Sequence, residues 1–245
     1  MTATPITYRW PRSWLPRTAG FFPLSGASIS ISRYTGAAKM AVGAATPWVA
    51  RLDFSPIVES DGERDWKKVR ALLMRVSGTG HRLALFDPTC IYPRGIAAGI
   101  HWGNIRVPGT GQFSDATLFS DGTGFREGAT TARLARNHLA GETDVLIEGL
   151  VASQANSLVV GDAMEICGFM HSVLATVASN AAGQTLAPIW PPLRRDALRS
   201  GVSGIVNFEY PTSPFVNPNP NFAGFDVERP SRAPLGLNLV EDLSR

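Results

Sequence analysis

Four histidines, His81, His101, His138 and His171, are the side chains best suited to proton transfer or metal ligation near neutral pH. They lie 20, 37 and 33 residues apart, so no local pair has zinc-ligand spacing. The two cysteines, Cys90 and Cys167, form no CxxC and no Cys/His metal pattern. Cys167 and His171 have the residue types of a nucleophile–base pair, but His171 falls on an apolar strand face and reads as a core histidine. Asp53 with Glu59, and Asp162 with Glu165, carry the paired carboxylates that glycosidase chemistry needs. Acidic pairs of this kind are ordinarily turn and surface residues. Gly201-Val-Ser-Gly204 fails the spacing of a nucleophile elbow, and there is no glycine–lysine phosphate loop. Gly122-Thr-Gly124-Phe-Arg-Glu-Gly128 misses the dinucleotide spacing by one residue and does not follow a strand. The expectation is therefore no catalytic residues, no cofactor-binding residues and no metal ligands: not an enzyme.

The elements around these residues belong to a turn-rich chain. Its 245 residues include 24 glycines and 18 prolines, with charged residues at 18%. That mix excludes disorder, a coiled coil and a long-helix bundle, and favours short strands joined by tight turns. Net charge is only +3 and the densest basic cluster is Arg194-Arg195 with Arg199. No specific nucleic-acid binding is expected from that. No stretch reaches the roughly 18 apolar residues of a membrane span. Two cysteines cannot make a disulfide framework, and the N-terminus shows no signal-peptide pattern, which together suggest synthesis in a reducing cytoplasm.

Along the chain, residues 5–26 interleave Trp10, Trp14, Phe21 and Phe22 with four prolines and cannot form a regular helix. These aromatics are expected to pack on the body, although such an arm would also suit docking onto a neighbour. Strands are predicted from Ser28 and over Val49–Phe54, where Ala50, Leu52 and Phe54 share a face. One helix is clear: Ser60 and Glu63 have capping-box spacing, and Val69, Leu72, Leu73 and Val76 form an apolar stripe. Arg64, Lys67, Lys68, Arg70 and Arg75 cover its solvated face, and Gly78 stands where a C-cap glycine belongs. A strand His81–Phe86 ends at Asp87-Pro88. Residues 95–128 scatter Trp102, Phe113, Phe119 and Phe125 among turns without a period, and Ala129–Leu139 fits helix or strand equally.

From Gly141 to Phe208 the predicted strands are Asp144–Val151, Leu158–Val160, Asp162–Cys167, Phe169–Val177, Thr185–Trp190 and Ser203–Phe208. So many short strands read as a small barrel or sandwich. Residues 210–222 read as a proline-rich linker or extended crossing. The alternation Leu235, Leu237, Leu239 must bury one face and predicts a strand returning to the first domain.

The blocks Trp48-Val-Ala-Arg-Leu-Asp-Phe54, Trp66-Lys-Lys-Val-Arg-Ala-Leu-Leu73 and Gly78-Thr-Gly-His-Arg-Leu-Ala-Leu-Phe-Asp-Pro88 resemble the N-terminal region of distal tail proteins. These belong to long-tailed (siphovirus-like) phages and phage-derived particles. Pro93-Arg94-Gly95 looks like the segment that follows. Leu158-Val-Val-Gly-Asp162, Glu165-Ile-Cys-Gly168, the Val173 strand, Ala182-Gly183 and Trp190-Pro-Pro-Leu-Arg194 are similar to the barrel inserted in the same proteins. The resemblance covers roughly residues 45–95 and 140–245.

It implies a mainly β fold: a β-sandwich scaffold with one amphipathic helix plus an inserted small β-barrel. The expected domains are 1–139 with 223–245 as a discontinuous ring-forming sandwich, 140–210 as the barrel and 211–222 as a Pro/Asn-rich crossing. The implied role is a structural virion protein at the tail tip, assembled in the host cytoplasm. Its implied partners are itself in a hexameric ring, the tail tube protein, the tail hub protein, the tape-measure protein and tail fibres. No cofactor comes with the family. A second class stays open, a carbohydrate-binding β-sandwich module stacking sugars on Trp102, Trp190, Phe113 and Phe119.

Overall fold

The alternating segments around Trp48 and Leu235 are enough to start a sheet, and the computed structural model pairs them in its first unit. It describes residues 6–24, 28–31, 38–41, 46–58, 66–76, 81–90, 100–101, 104–105, 131–218 and 232–244. The capping pair Ser60/Glu63, Glu59, Arg64, Gly78, the 122–128 glycines, Trp102, Phe113, Phe119, Phe125 and residues 219–222 lie outside them. In chain order the strands are β1 (Thr7–Arg9), β2 (Thr18–Pro23), β3 (Ser28–Ile31), β4 (Ala38–Ala41) and β5 (Trp48–Val58). The helix α1 (Trp66–Val76) follows, then β6 (Arg82–Phe86), β7 (Ile100–His101), β8 (Asn104–Ile105), β9 (Thr131–Leu134) and β10 (Asp144–Glu148). The remainder are β11 (Ala163–Ile166), β12 (Phe169–Val173), β13 (Thr185–Trp190), β14 (Ile205–Asn207), β15 (Thr212–Val216) and β16 (Arg232–Glu241). The protein is mainly β, with one α-helix among the described residues.

The chain divides into two compact units, Met1–Leu85 with Pro214–Arg245, and Phe86–Ser213. The first contains a six-stranded sheet in the order β1-β6-β15-β16-β5-β2, and β3 and β4 form a separate hairpin pair. Within it, the antiparallel seam between β5 and β16 sets Leu235 opposite Phe54, Leu237 opposite Leu52 and Leu239 opposite Ala50. All three leucines are buried while Gly236 and Asn238 between them are exposed, the alternation of a half-buried strand. On β5, Ala50 and Leu52 are buried and Arg51 and Asp53 exposed. In α1, Val69, Leu73 and Val76 are buried and Leu72 half-buried, whereas Lys67, Lys68, Arg70 and Arg75 are exposed. Arg75 in the last turn suits the helix dipole.

Two stretches of the proline-rich N-terminal region, β1 and β2, are strands of this sheet. β1 pairs parallel to β6 and β2 pairs antiparallel to β5. Trp10 and Trp14 are buried, edge to face at 5.3 Å, and Trp10 also meets Phe54 at 5.2 Å. The indole Nε1 of Trp10 donates to the Trp14 carbonyl at 2.8 Å, so its polar group is satisfied inside the core.

The second unit holds a closed barrel in the order β10-β13-β12-β11-β14-β9, with all six seams antiparallel. Period-two side chains fill it: Leu134, Val145, Ile147, Met164, Ile166, Val173, Ile189 and Val206 are all at or below 1% exposure. Closure pairs both edges of each strand, which removes the template that an open edge offers to other chains.

The unit boundaries differ from those read in the sequence. β9 pairs with β10 and β14, so 131–134 belongs to the barrel and not to the 1–139 domain. β15 pairs with β16, so 212–216 is sheet and not part of a crossing over 211–222. Within the barrel, β10 stops at Glu148, Leu158 makes only an isolated bridge to Val177, β12 stops at Val173, and Val202–Gly204 is a 3-10 turn preceding β14. Strand ends of this kind depend on backbone pairing, which local pattern does not encode.

Candidate functional site

The chemistry-bearing side chains of the second unit gather in and around the barrel. β11 and β12 are joined by a two-residue turn, Cys167-Gly168, with φ 54° and 77°. Both angles are positive, as a type I′ hairpin requires, which is why a glycine stands there. The turn puts His171 opposite Met164, facing inward with Phe169 and Val173.

His171 is fully buried. Its Nδ1 lies 2.7 Å from the Pro191 carbonyl. A carbonyl only accepts, so Nδ1 carries the proton and donates it; Nε2 is left as the acceptor and has no hydrogen-bond partner among the described residues. Burial pulls the ring's pKa down to about 4; the Pro191 bond opposes this and the Arg194 charge adds to it. Cys167 does not complete a nucleophile pair. Its Sγ faces the carbonyls of Ser203 at 3.4 Å and Asp196 at 3.8 Å, where a protonated thiol donates. Burial pushes the Cys167 thiol up, against a smaller lowering by Arg195. Cys90 lies 3.8 Å from the Gly161 carbonyl, after Asp87 has closed β6 by accepting from the Thr89 amide at 2.8 Å.

A second histidine, absent from the pairs weighed in the sequence, makes the more complete constellation. His138 is fully buried between β9 and β10. Its Nε2 accepts from the Leu146 amide at 3.1 Å, so the proton sits on Nδ1 and is donated to Glu142 Oε2 at 2.7 Å. Glu142 also accepts from the Leu139 amide at 2.8 Å, and that bond with the His138 bond holds its carboxyl below the usual range. Both ring nitrogens are thus occupied. The dyad braces the β9–β10 connection, and its imidazole has no lone pair left for a substrate proton. A four-residue spacing signals contact only on a helix, and this segment is a turn, so the pattern did not betray it.

The carboxylates are similarly committed. Asp53 accepts from Thr18 Oγ1 at 3.1 Å, and its partner Glu59 is outside the described residues. Asp162 is buried and accepts from the Val159 amide at 2.8 Å. Glu165 accepts from the Thr212 amide and hydroxyl, each at 2.9 Å. The structure therefore places Asp162 and Glu165 in separate structural tasks. In the basic cluster, Arg199 forks onto Glu148 at 2.9 Å and Arg195 lies over the Phe169 ring at 5.4 Å. Among the described residues no group of three or more His, Cys, Asp or Glu is placed to hold a metal ion. No helix among them is long and apolar enough to cross a membrane.

Part of what the barrel presents outward is apolar. Leu186 stands opposite Leu146 on the outer wall, and Leu174 donates its amide to Pro188 at 2.9 Å on the same wall. Leu186 is 51% and Leu174 54% exposed, with Trp190 half-buried beyond them. Around the His138–Ala197 bridge, Leu139, Leu198 and Val202 are exposed as well. A scan against protein-family models finds no match, and a search of the curated proteins finds none either.

Proposed function

We propose that this chain is a structural virion protein of the phage tail tip, forming a ring that joins the tail tube to the tail-tip hub and receptor-binding apparatus. The observation that carries the reading is the order of parts along the chain. The first set of resembling blocks falls on β5, α1 and β6, and the second set falls in the closed barrel unit inserted between β6 and β15. β6 and β15 are neighbours in one sheet, so the barrel is an insertion that leaves the scaffold continuous.

A cyclic ring needs two different faces on each protomer, and a rigid β scaffold supplies them without an active site. The histidines, cysteines and carboxylates described above serve the fold itself, and the exposed leucines of the barrel wall suit contact with protein. In this reading the chain sits in the virion, assembled in the host cytoplasm. It contacts copies of itself, the tube and hub proteins, and the tape-measure protein and fibres as further neighbours.

Mass photometry of the full chain, alone and with tail tube protein as template, tests the assembly. The expected species is six times the 26.3 kDa protomer, seen as rings by electron microscopy. A tail reconstruction showing this chain at a symmetry neither six-fold nor compatible with three-fold overturns the reading. Dispersed monomers that bind glycans on an array would replace it with the carbohydrate-binding module.

A further inference from the structure

We propose that the barrel carries an acid-sensitive catch at His171: a proton taken up at Nε2 places an unsolvated charge behind β12 and loosens the barrel wall there. The seam between β12 and β13 has two paired positions, Ser172 with Trp190 and Val173 with Ile189. The bond from His171 Nδ1 to the Pro191 carbonyl extends that short seam by one side-chain contact. The ring is fully buried, and among the described residues its second nitrogen has no acceptor waiting for a proton. An imidazolium there would hold both a charge and an unmet donor in an apolar interior.

The surroundings offer that charge no relief. Met164 stands opposite on β11, and Phe169 and Val173 flank the ring on its own strand face. Arg194, the charge acting on the ring, has the same sign as an imidazolium. Arg195 lies over Phe169, and the Cys167 thiol donates to the Ser203 carbonyl. Glu165, opposite Met170 on the alternate face of β11, is engaged with Thr212. Asp196 accepts from the Ala140 amide.

The sign follows from the neutral ring being the folded form. Stability is complete above the ordinary histidine value of 6.5 and falls as the pH drops from there towards about 4, below which the loss levels off. That span corresponds to a roughly 300-fold rise in the population of the opened barrel wall.

Two measurements on the full chain test this. Histidine-edited NMR should show His171 titrating near 4, its signal assigned by loss in His171→Gln. Amide exchange, corrected for intrinsic rates, should show the opening of 169–173 rising by about two orders of magnitude between pH 6.5 and 4, and staying flat in His171→Gln. Equal pH slopes in the two proteins would overturn the proposal. If the variant does not fold, the native titration decides: a His171 value near 6.5 overturns it and a value near 4 supports it.

Discussion

Arg82 and Asp242 make an ion pair inside the sheet unit, and its two halves should not be equal in their worth. The Arg82 side chain is 6% exposed and that of Asp242 14%. Arg82 Nη2 also donates to Ser244 Oγ at 3.2 Å, and the Ser244 amide donates to Asp242 Oδ1 at 2.9 Å. The pair therefore ties β6 to the chain just beyond β16. Removing one partner of a buried pair costs about 3–5 kcal/mol, because the other charge stays behind. Arg82→Met leaves a carboxylate that keeps the Ser244 donor and can take up a proton, so about 3 kcal/mol is expected. Asp242→Asn leaves a guanidinium that cannot shed its proton at any accessible pH, so the loss should be nearer 5 kcal/mol. Replacing both, Arg82→Met with Asp242→Leu, should return to within about 1.5 kcal/mol of the parent. Burial raises the Asp242 carboxyl, but the Ser244 and Arg82 hydrogen bonds and the Arg82 charge outweigh it, and the net shift is down from 3.8. The stabilisation is thus whole above the ordinary carboxylate value and disappears as pH falls through the lower folded one. The Arg82→Met deficit should therefore shrink below about pH 4, where the parent loses the same interaction. Urea titration with amide exchange on β5 and β16 measures all four proteins. Losses under 1 kcal/mol in both single variants, or a larger loss for Arg82→Met than for Asp242→Asn, would refute the reasoning.

Leu237→Ala, at a 1% exposed position opposite Leu52, should lower the stability of the sheet unit by about 3 kcal/mol in the same titration, and deleting 230–245 should unfold it. Gly183 has φ +68°, and a Cβ there would lie 2.2 Å from the Leu150 carbonyl oxygen. Gly183→Ala should destabilise the barrel by about 3 kcal/mol, whereas Gly168→Ala, at φ +77° with open space around it, should cost only about 1 kcal/mol; thermal melts compare them. DNA sliding through a ring would be held back by phosphate contacts, so the exposed Lys67, Lys68 and Arg70 should face away from the lumen. A reconstructed tail with these three on the channel wall would contradict this.

The local part of the fold was written in the sequence. The 3.6-residue stripe Val69, Leu72, Leu73, Val76 and the two-residue alternation Leu235, Leu237, Leu239 each mark a face that must be buried, whatever covers it. The strand read as Asp162–Cys167 runs one residue into the turn, because the positive φ of Cys167 and Gly168 is set by the hairpin they close. Strand partnership is a different matter. That β1 and β2 lie inside a proline-rich stretch, that β9 closes the barrel, and that 212–216 is sheet depend on main-chain hydrogen bonds to residues far along the chain. Those bonds read the backbone and carry no side-chain signature. The same holds for chemistry. Composition identifies His138, His171, Cys167 and Glu165 as groups that could react. Only the folded chain decides that a Leu146 amide, a Pro191 carbonyl, a Ser203 carbonyl and a Thr212 amide are their hydrogen-bond partners, because each partner arrives from a different strand or turn.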